Sequence, residues 1–478
     1  MLGILAAQLW ACSSEVTTGG GNAGGNGGSG AGGGDGGSGA GGSLPITCSS
    51  SPGDHGGVCP GPLDCAIVID REITCTDPQF AKLGAHVVTA PAHSYLGASS
   101  WDLQALFEVT ESDAKRLELF PLRAGSTMLL AADPKGALAA AADETTPASY
   151  DGGLSLARGD GGGFVAEPVF DAPDRYVTLF DLAFDTSGAA HVWYSSKPPA
   201  ERSVGRRGAD GAWIHEVVPS PGAGWYRFAL SNEGRRVAFG LDELASGDRQ
   251  LLALYDGAVR PMGAPLGASS PPRYRPIGIH ASAPEGLPAF GAALLDREGL
   301  RVVWTSGGGH VEKLVPGTAA PAYQCSLGFG GEPPPCAADC HEKVSGLEYE
   351  AFAAAFGKEE VWLAVIESHL DYTVAYAPQD IDGMQICVGN VASEASTSEL
   401  HLLRVPLDGS APEKLLSLPL PGIDRDDIAS SSDTDASAVA IHVAGDALTV
   451  SARLLPKPGE PKIRVLRVDT KILAGGGA

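Results

Sequence analysis

The chain has 478 residues, with 33 basic against 57 acidic side chains and a formal net charge of −24. That balance argues against nucleic acid, whose binding rests on Lys and Arg neutralising phosphates, and against a polybasic membrane-surface protein. Aromatic residues are 6% and the hydrophobic share is 44%, so Ala, Val and Leu must fill any core. Of the 65 glycines, 16 fall between Gly19 and Ser43, which divides the chain into two materials.

The first residues read MLGILAAQLWACSS, and Leu2 to Trp10 are apolar apart from Gln8. Such a stretch has the length of a signal-peptide core and is too short to span a bilayer. It ends Leu9-Trp10-Ala11-Cys12, which resembles the lipobox of bacterial lipoproteins. The resemblance implies that 1–11 is a signal peptide and that Cys12 carries a lipid anchor, the only contact with a bilayer. Ser13 after that cysteine implies the outer membrane, on its periplasmic side or at the cell surface. Residues 12–47 then form a tether. Between Gly19 and Ser43 they are Gly, Asn, Ser, Ala and a single Asp, a composition that buries too little apolar area to offset ordering entropy. A Gly-rich coil of that length has a root-mean-square span of about 25–30 Å.

Setting Cys12 aside leaves two groups of four cysteines: Cys48, Cys59, Cys65, Cys75, and Cys325, Cys336, Cys340, Cys387. An even count in an exported chain reads as disulfides, and four cysteines allow three pairings. Residues 48–76 are too few to hold a core without staples, and read as a small disulfide-stapled module. Cys336-Ala-Ala-Asp-Cys340-His341 has one spacer residue more than the haem-attachment pattern, and no apolar wall surrounds it. A zinc site would need thiolates that oxidation removes. No cofactor is expected.

From 77 to 470 the chain reads as short strands, rich in Val, Leu, Phe and Tyr and separated by Asp, Asn and Gly turns. One hairpin recurs, as in LLAADPKGALAAAAD, LAFDTSGAAHVWYSS and FALSNEGRRVAFGLD, with turns centred on Asp133, Asp185, Asn232, Glu285, Gly357 and Asp433. A second hairpin follows most of them, and two hairpins make one four-stranded propeller blade. The turn centres lie 52, 47, 53, 72 and 76 residues apart. Blades take about 40–50 residues, so insertions are expected at 317–347 and 368–398. The segment 86–122 supplies one more blade. The expected fold is an all-β propeller of seven blades, six being the alternative, ending in a flexible tail at 471–478. Leu230-Ser231-Asn232-Glu233-Gly234-Arg235-Arg236-Val237-Ala238-Phe239 resembles the TolB-type, WD40-like repeat, whose core reads roughly S-P-D-G-K-x-I-A-F. That resemblance implies a fold and no activity.

Let the strands of a blade be A to D, counted outward from the central channel. The first insertion is then a D–A connection and the second a B–C loop of the next blade, so both emerge on one face. Three cysteines lie in the first and Cys387 in the second, and a disulfide between them would close a cap. Long loops on a rigid scaffold carry function, which makes this the expected binding face. His369 with Glu367 and Asp371 is its mixed cluster, and Asp380 and Asp382 follow. Asp380-Ile-Asp382-Gly383 and the group Asp424, Asp426, Asp427, Asp433 and Asp435 raise calcium. Neither ends in the Glu of an EF-type loop, so charged turns are expected and no metal site is assigned. His191 and His442 alternate with apolar residues and read as hydrogen-bonded strand histidines. H-E-x-x-H, G-x-x-x-x-G-K-[ST] and G-x-S-x-G are absent, and no catalytic residue is assigned. The expected function is a monomeric, lipid-anchored propeller that binds a protein or glycan without catalysis. The alternative is a propeller hydrolase or lyase acting on polysaccharide at the channel mouth.

Overall fold

The computed structural model describes residues 48–53, 66–76, 84–99, 104–117, 128–143, 152–218, 227–266, 273–316, 341–420 and 438–474, apart from short gaps within them. The chain divides after Pro45, and Ile46–Ala478 holds every described residue. Seven antiparallel sheets form, six of them from consecutive stretches: 84–117, 128–172, 176–217, 227–266, 273–316 and 341–420. The inner strands of neighbouring blades touch in a closed ring, that of blade 7 meeting that of blade 1. This is the seven-bladed propeller that the hairpin spacing predicts.

The recurring hairpin has a backbone cause. In the A–B turns of blades 2 and 3, the Asp133 and Asp185 N–H groups donate to the carbonyls of Ala137 and Ala189. Their carboxylates accept from the amides two and four residues on: Lys135 and Ala137 in one turn, Ser187 and Ala189 in the other, at 2.8–2.9 Å. Gly136 and Gly188 close the turns at φ 84°, a left-handed conformation open to glycine. The D-x-x-G spacing thus writes a turn.

Alternation along each strand gives every blade two apolar faces. In blade 6, Ile366 and Leu402 pack toward blade 7, whereas Val365 and Leu403 pack toward blade 5. A hydrophobic cluster fills each of the seven junctions between neighbours. Trp193, Trp304 and Trp362 are fully buried among them, while Ala139 to Ala142 keep blade 2 thin.

Blade 7 closes the ring with strands from both ends of the chain. Strands A to C are Val439–Ala444, Ala447–Leu454 and Lys462–Asp469; strand D is Ile67–Cys75, and Cys48–Pro52 adds a fifth. The stapled segment is therefore built into the propeller, which starts at Cys48 and not at residue 77. The disulfide Cys48–Cys75 joins the fifth strand to strand D. Cys59, Cys65, Cys325, Cys336 and Cys340 lie outside the described residues, and Cys387 is placed by register alone, opposite Pro378. The expected tail at 471–478 also needs correction. A short helix, α1 (Thr470–Ala474), follows the last strand; Asp469 Oδ1 accepts from the Lys471 and Ile472 amides, and Leu473 is buried.

The seam carries a buried ion pair. Arg464 of strand C donates Nε and Nη2 to the two oxygens of Asp70 on strand D, at 2.9 and 2.7 Å. Their side chains are 1% and 3% exposed. Gly53 passes so close that a Cβ there would overlap the Asp70 carboxylate, and its N–H donates to the Asp70 carbonyl. Lys462 and Glu72 repeat the pairing nearer the surface, at 2.9 Å. Toward blade 1, Arg467 donates to the carbonyls of Ala90, Pro91 and His93. Removing one member of a buried pair strands the other, so Arg464→Met is expected to cost about 3–5 kcal/mol, read as a lowered urea midpoint. The double variant Arg464→Met/Asp70→Asn is expected to recover part of that loss. Strictly additive losses would show that the pair is not coupled.

Candidate functional site

The second insertion is not a loop. Strand B of blade 6 runs 22 residues, Glu360–Ile381, and Met384–Glu394 turns back and pairs with its far half. The start of strand A, His341–Phe356, pairs with the other edge of that half, His341 opposite Ala375. A three-stranded ribbon therefore continues blade 6 beyond the disc, on the face of the B–C connections. Residues 317–340 of the first insertion lie outside the described residues. The segments YTVAY and QICVGNV carry the β-branched and aromatic residues that favour strand.

At the ribbon's base, on the side of blade 6 that faces blade 5, polar residues replace the apolar alternation. Glu367 and His369 lie two apart on strand B, Glu399 and His401 two apart on strand C (Thr397–Pro406), and Lys414 and Ser417 on strand D (Glu413–Leu420). Pairing sets Glu399 opposite Glu367 and Ser417 opposite His401. His401 Nε2 lies 3.2 Å from Glu367 Oε1, 3.7 Å from Glu399 Oε2 and 3.2 Å from Lys414 Nζ. His369 Nε2 reaches Glu367 Oε1 at 3.7 Å. Burial lowers the pKa of His401, and Lys414 adds to this against the opposing pull of Glu367 and Glu399. Tyr349 stands opposite Glu367 and donates to the Pro316 carbonyl. Burial and the Glu367 charge raise its pKa.

Of the residues the sequence points to, Glu367 and His369 meet here. Asp371 is exposed on strand B opposite Ser345, and Asp380 is placed only by its pairing with Gln385. Asp382 lies outside the described residues, as do Asp424, Asp426, Asp427, Asp433 and Asp435. Sequence reading passes over His401, Glu399, Lys414, Ser417 and Tyr349. A signal for two of them exists: Glu367-Ser368-His369 and Glu399-Leu400-His401 repeat E-x-H at the spacing that puts both side chains on one face of a strand. Among the described residues, no group of three His, Cys, Asp or Glu side chains could hold a metal ion, and no helix is long and apolar enough to cross a membrane.

The opposite face carries a cleft of about 460 Å³ between blades 7 and 1, lined by Thr89, Pro91, Asp446, Arg467 and Asp469 among others. Its guanidinium is already committed to carbonyls of blade 1. His191 receives its partner from its own blade, Asp185 Oδ2 at 3.2 Å. Burial alone would raise the Asp185 pKa, but hydrogen bonds from Ser187, His191 and Ala189 hold it down at about 2.

No family model matches the chain, and no curated protein matches its sequence. Among solved structures, streptogramin B lyase is 13% identical with a TM-score of 0.42, covering 84% of this chain and 98% of that one. An ulvan lyase of polysaccharide lyase family PL25 is 8% identical with a TM-score of 0.40, covering 84% and 99%. TolB from Acinetobacter baumannii is 10% identical with a TM-score of 0.30, covering 80% and 79%. Likeness at this distance transfers no site.

Two inner-strand histidines give the scaffold a pH response. His442 of blade 7 accepts on Nδ1 from the Thr89 amide of blade 1 at 3.1 Å. His86 of blade 1 accepts on Nδ1 from the Leu130 amide of blade 2 at 3.2 Å. Burial lowers both pKa values from 6.5 to about 4, and the charge of His442 adds to the effect on His86. Folding thus favours the neutral rings. Their contribution is complete above pH 6.5 and is lost as pH falls toward 4, where only the unfolded chain takes up the protons. Urea midpoints are expected to fall across that window, and His442→Gln to flatten the slope by up to one proton. An unchanged slope in that variant would refute the assignment.

Proposed function

We propose that the chain is an exported lipoprotein, anchored through Cys12, that binds a protein or glycan on the propeller face from which the blade 6 ribbon rises. The observation that carries this reading is the ribbon itself. Strands of blades 1 to 5 run four to nine residues, against 22 for strand B of blade 6. A paired ribbon on a closed seven-fold scaffold offers a fixed surface at low ordering cost, and the charged cluster at its base supplies polar contacts. The elongated blade also breaks the symmetry of the ring at one place, as a docking site for one partner requires. The tether between Cys12 and Cys48 would let that face search the space above a membrane.

The test has two arms. Cys12→Ala is expected to move the protein from the membrane to the soluble fraction. Replacing 370–396 by a two-residue turn is expected to abolish retention on glycan arrays or capture of an envelope protein, with the melting temperature of the disc kept. Binding that survives loss of the ribbon would refute the proposed face.

A further inference from the structure

Ser417, on the outer strand of blade 6, is exposed, and its Oγ lies 2.8 Å from Nδ1 of His401. The other ring nitrogen lies 3.2 Å from Glu367 Oε1. The imidazole is 2% exposed and the carboxylate 13%, so a solvent-facing hydroxyl rests on a shielded ring. Strands D, C and B deliver the three groups side by side, with Ser417 opposite His401, on the backbone ladder that fixes the blade. A hydroxyl, an imidazole and a carboxylate in line are the parts of a nucleophilic relay. Strand D also ends its sheet, and alternate amides of an edge strand point away from the ladder.

We infer that Ser417, His401 and Glu367 form a nucleophilic relay, and that Ser417 takes acyl groups from carboxylic esters. In the first step Ser417 Oγ bonds to the ester carbonyl carbon, and its proton passes to His401 Nδ1. Glu367 holds the Nε2 proton and stabilises the imidazolium. The tetrahedral intermediate then expels the alkoxide, which takes the proton from His401. Water attacks the acyl-serine by the same route, returning Ser417 and releasing the acid. This activity goes beyond the binding reading and does not depend on it.

Among the described residues, five charged or titratable groups surround the ring or its carboxylate partner. Glu367 and Glu399 stabilise its cation, His369 shares Glu367, and Tyr349 stands opposite Glu367 on strand A. Lys414, 3.2 Å from Nε2, opposes protonation of the ring, and a general base starts from the neutral form. The relay uses the tautomer whose Nε2–H is directed to Glu367 rather than the one that would accept from Lys414.

The test uses the full chain, an alkyl fluorophosphonate probe and mass mapping. The phosphorus bonds to the nucleophilic oxygen, fluoride leaves and the proton passes to His401. Labelling is expected at Ser417 and is lost in Ser417→Ala, whose exposed position leaves the melting temperature unchanged. Glu367→Gln is expected to slow labelling at least about tenfold. Lys414→Met is expected to move the midpoint of the rate–pH profile upward, a shift that a merely structural lysine would not produce. A folded protein left unlabelled at Ser417, or labelled at a rate and pH profile indifferent to Glu367→Gln and Lys414→Met, would overturn the relay.

Discussion

The structure depends on the joining of its two ends. A propeller without closure leaves the inner and lateral faces of its terminal blades in water, and each of the other junctions is only as rigid as the ring. Here strand D of blade 7 comes from Ile67–Cys75 and the three inner strands from residues 439–469. Hydrogen bonding between strands nearly 400 positions apart is weak as a selector of register. Asp70 and Arg464 supply the selection, because sliding one strand against the other by one residue would put the two charges on opposite faces of the sheet. A buried pair contributes little net stability but penalises every arrangement that separates it. The seam behaves accordingly as a lock on register, with the flanking clusters of apolar side chains supplying the stabilisation.

The outer contacts fit that division of labour. Arg467 grips three carbonyls of the blade 1 turn, and Thr89 returns a hydroxyl to the His442 carbonyl at 3.0 Å. The disulfide holds Cys48–Pro52 against strand D, and Ser50 Oγ on that added strand reaches Asp113 of blade 1 at 2.9 Å. Blade 7 is thereby tied to its neighbour through side chains as well as apolar packing. With the ring locked, blade 6 can carry a long ribbon and a charged cluster without loss of the disc.

What was legible in the sequence was whatever repeats locally. The turns at Asp133 and Asp185 write themselves into the chain because their carboxylates bond amides within four residues, and their spacing counts the blades. The seam was not legible. IVIDREITC gives no sign that its partner is KIRVLRVD, since the code for that pairing is one Asp and one Arg far apart. The ribbon reads as a loop in the sequence because blade spacing counts its residues as excess, although YTVAY and QICVGNV carry strand-forming residues. At the candidate site, Glu367 and His369 were visible as a cluster. His401 was hidden among the leucines of SELHLLRV, where a buried polar residue takes its meaning only from the strands beside it.

The described strands before residue 77 are a structural part of the ring. Equilibrium unfolding of two chains, 46–478 and 77–478, tests this most directly. The account predicts one cooperative transition for the longer chain. For the shorter it predicts a broadened transition at much lower denaturant, with early loss of hydrogen-exchange protection in Lys462–Asp469. Superimposable transitions and equal protection would contradict it, and would return the N-terminal strands to the status of a separate module.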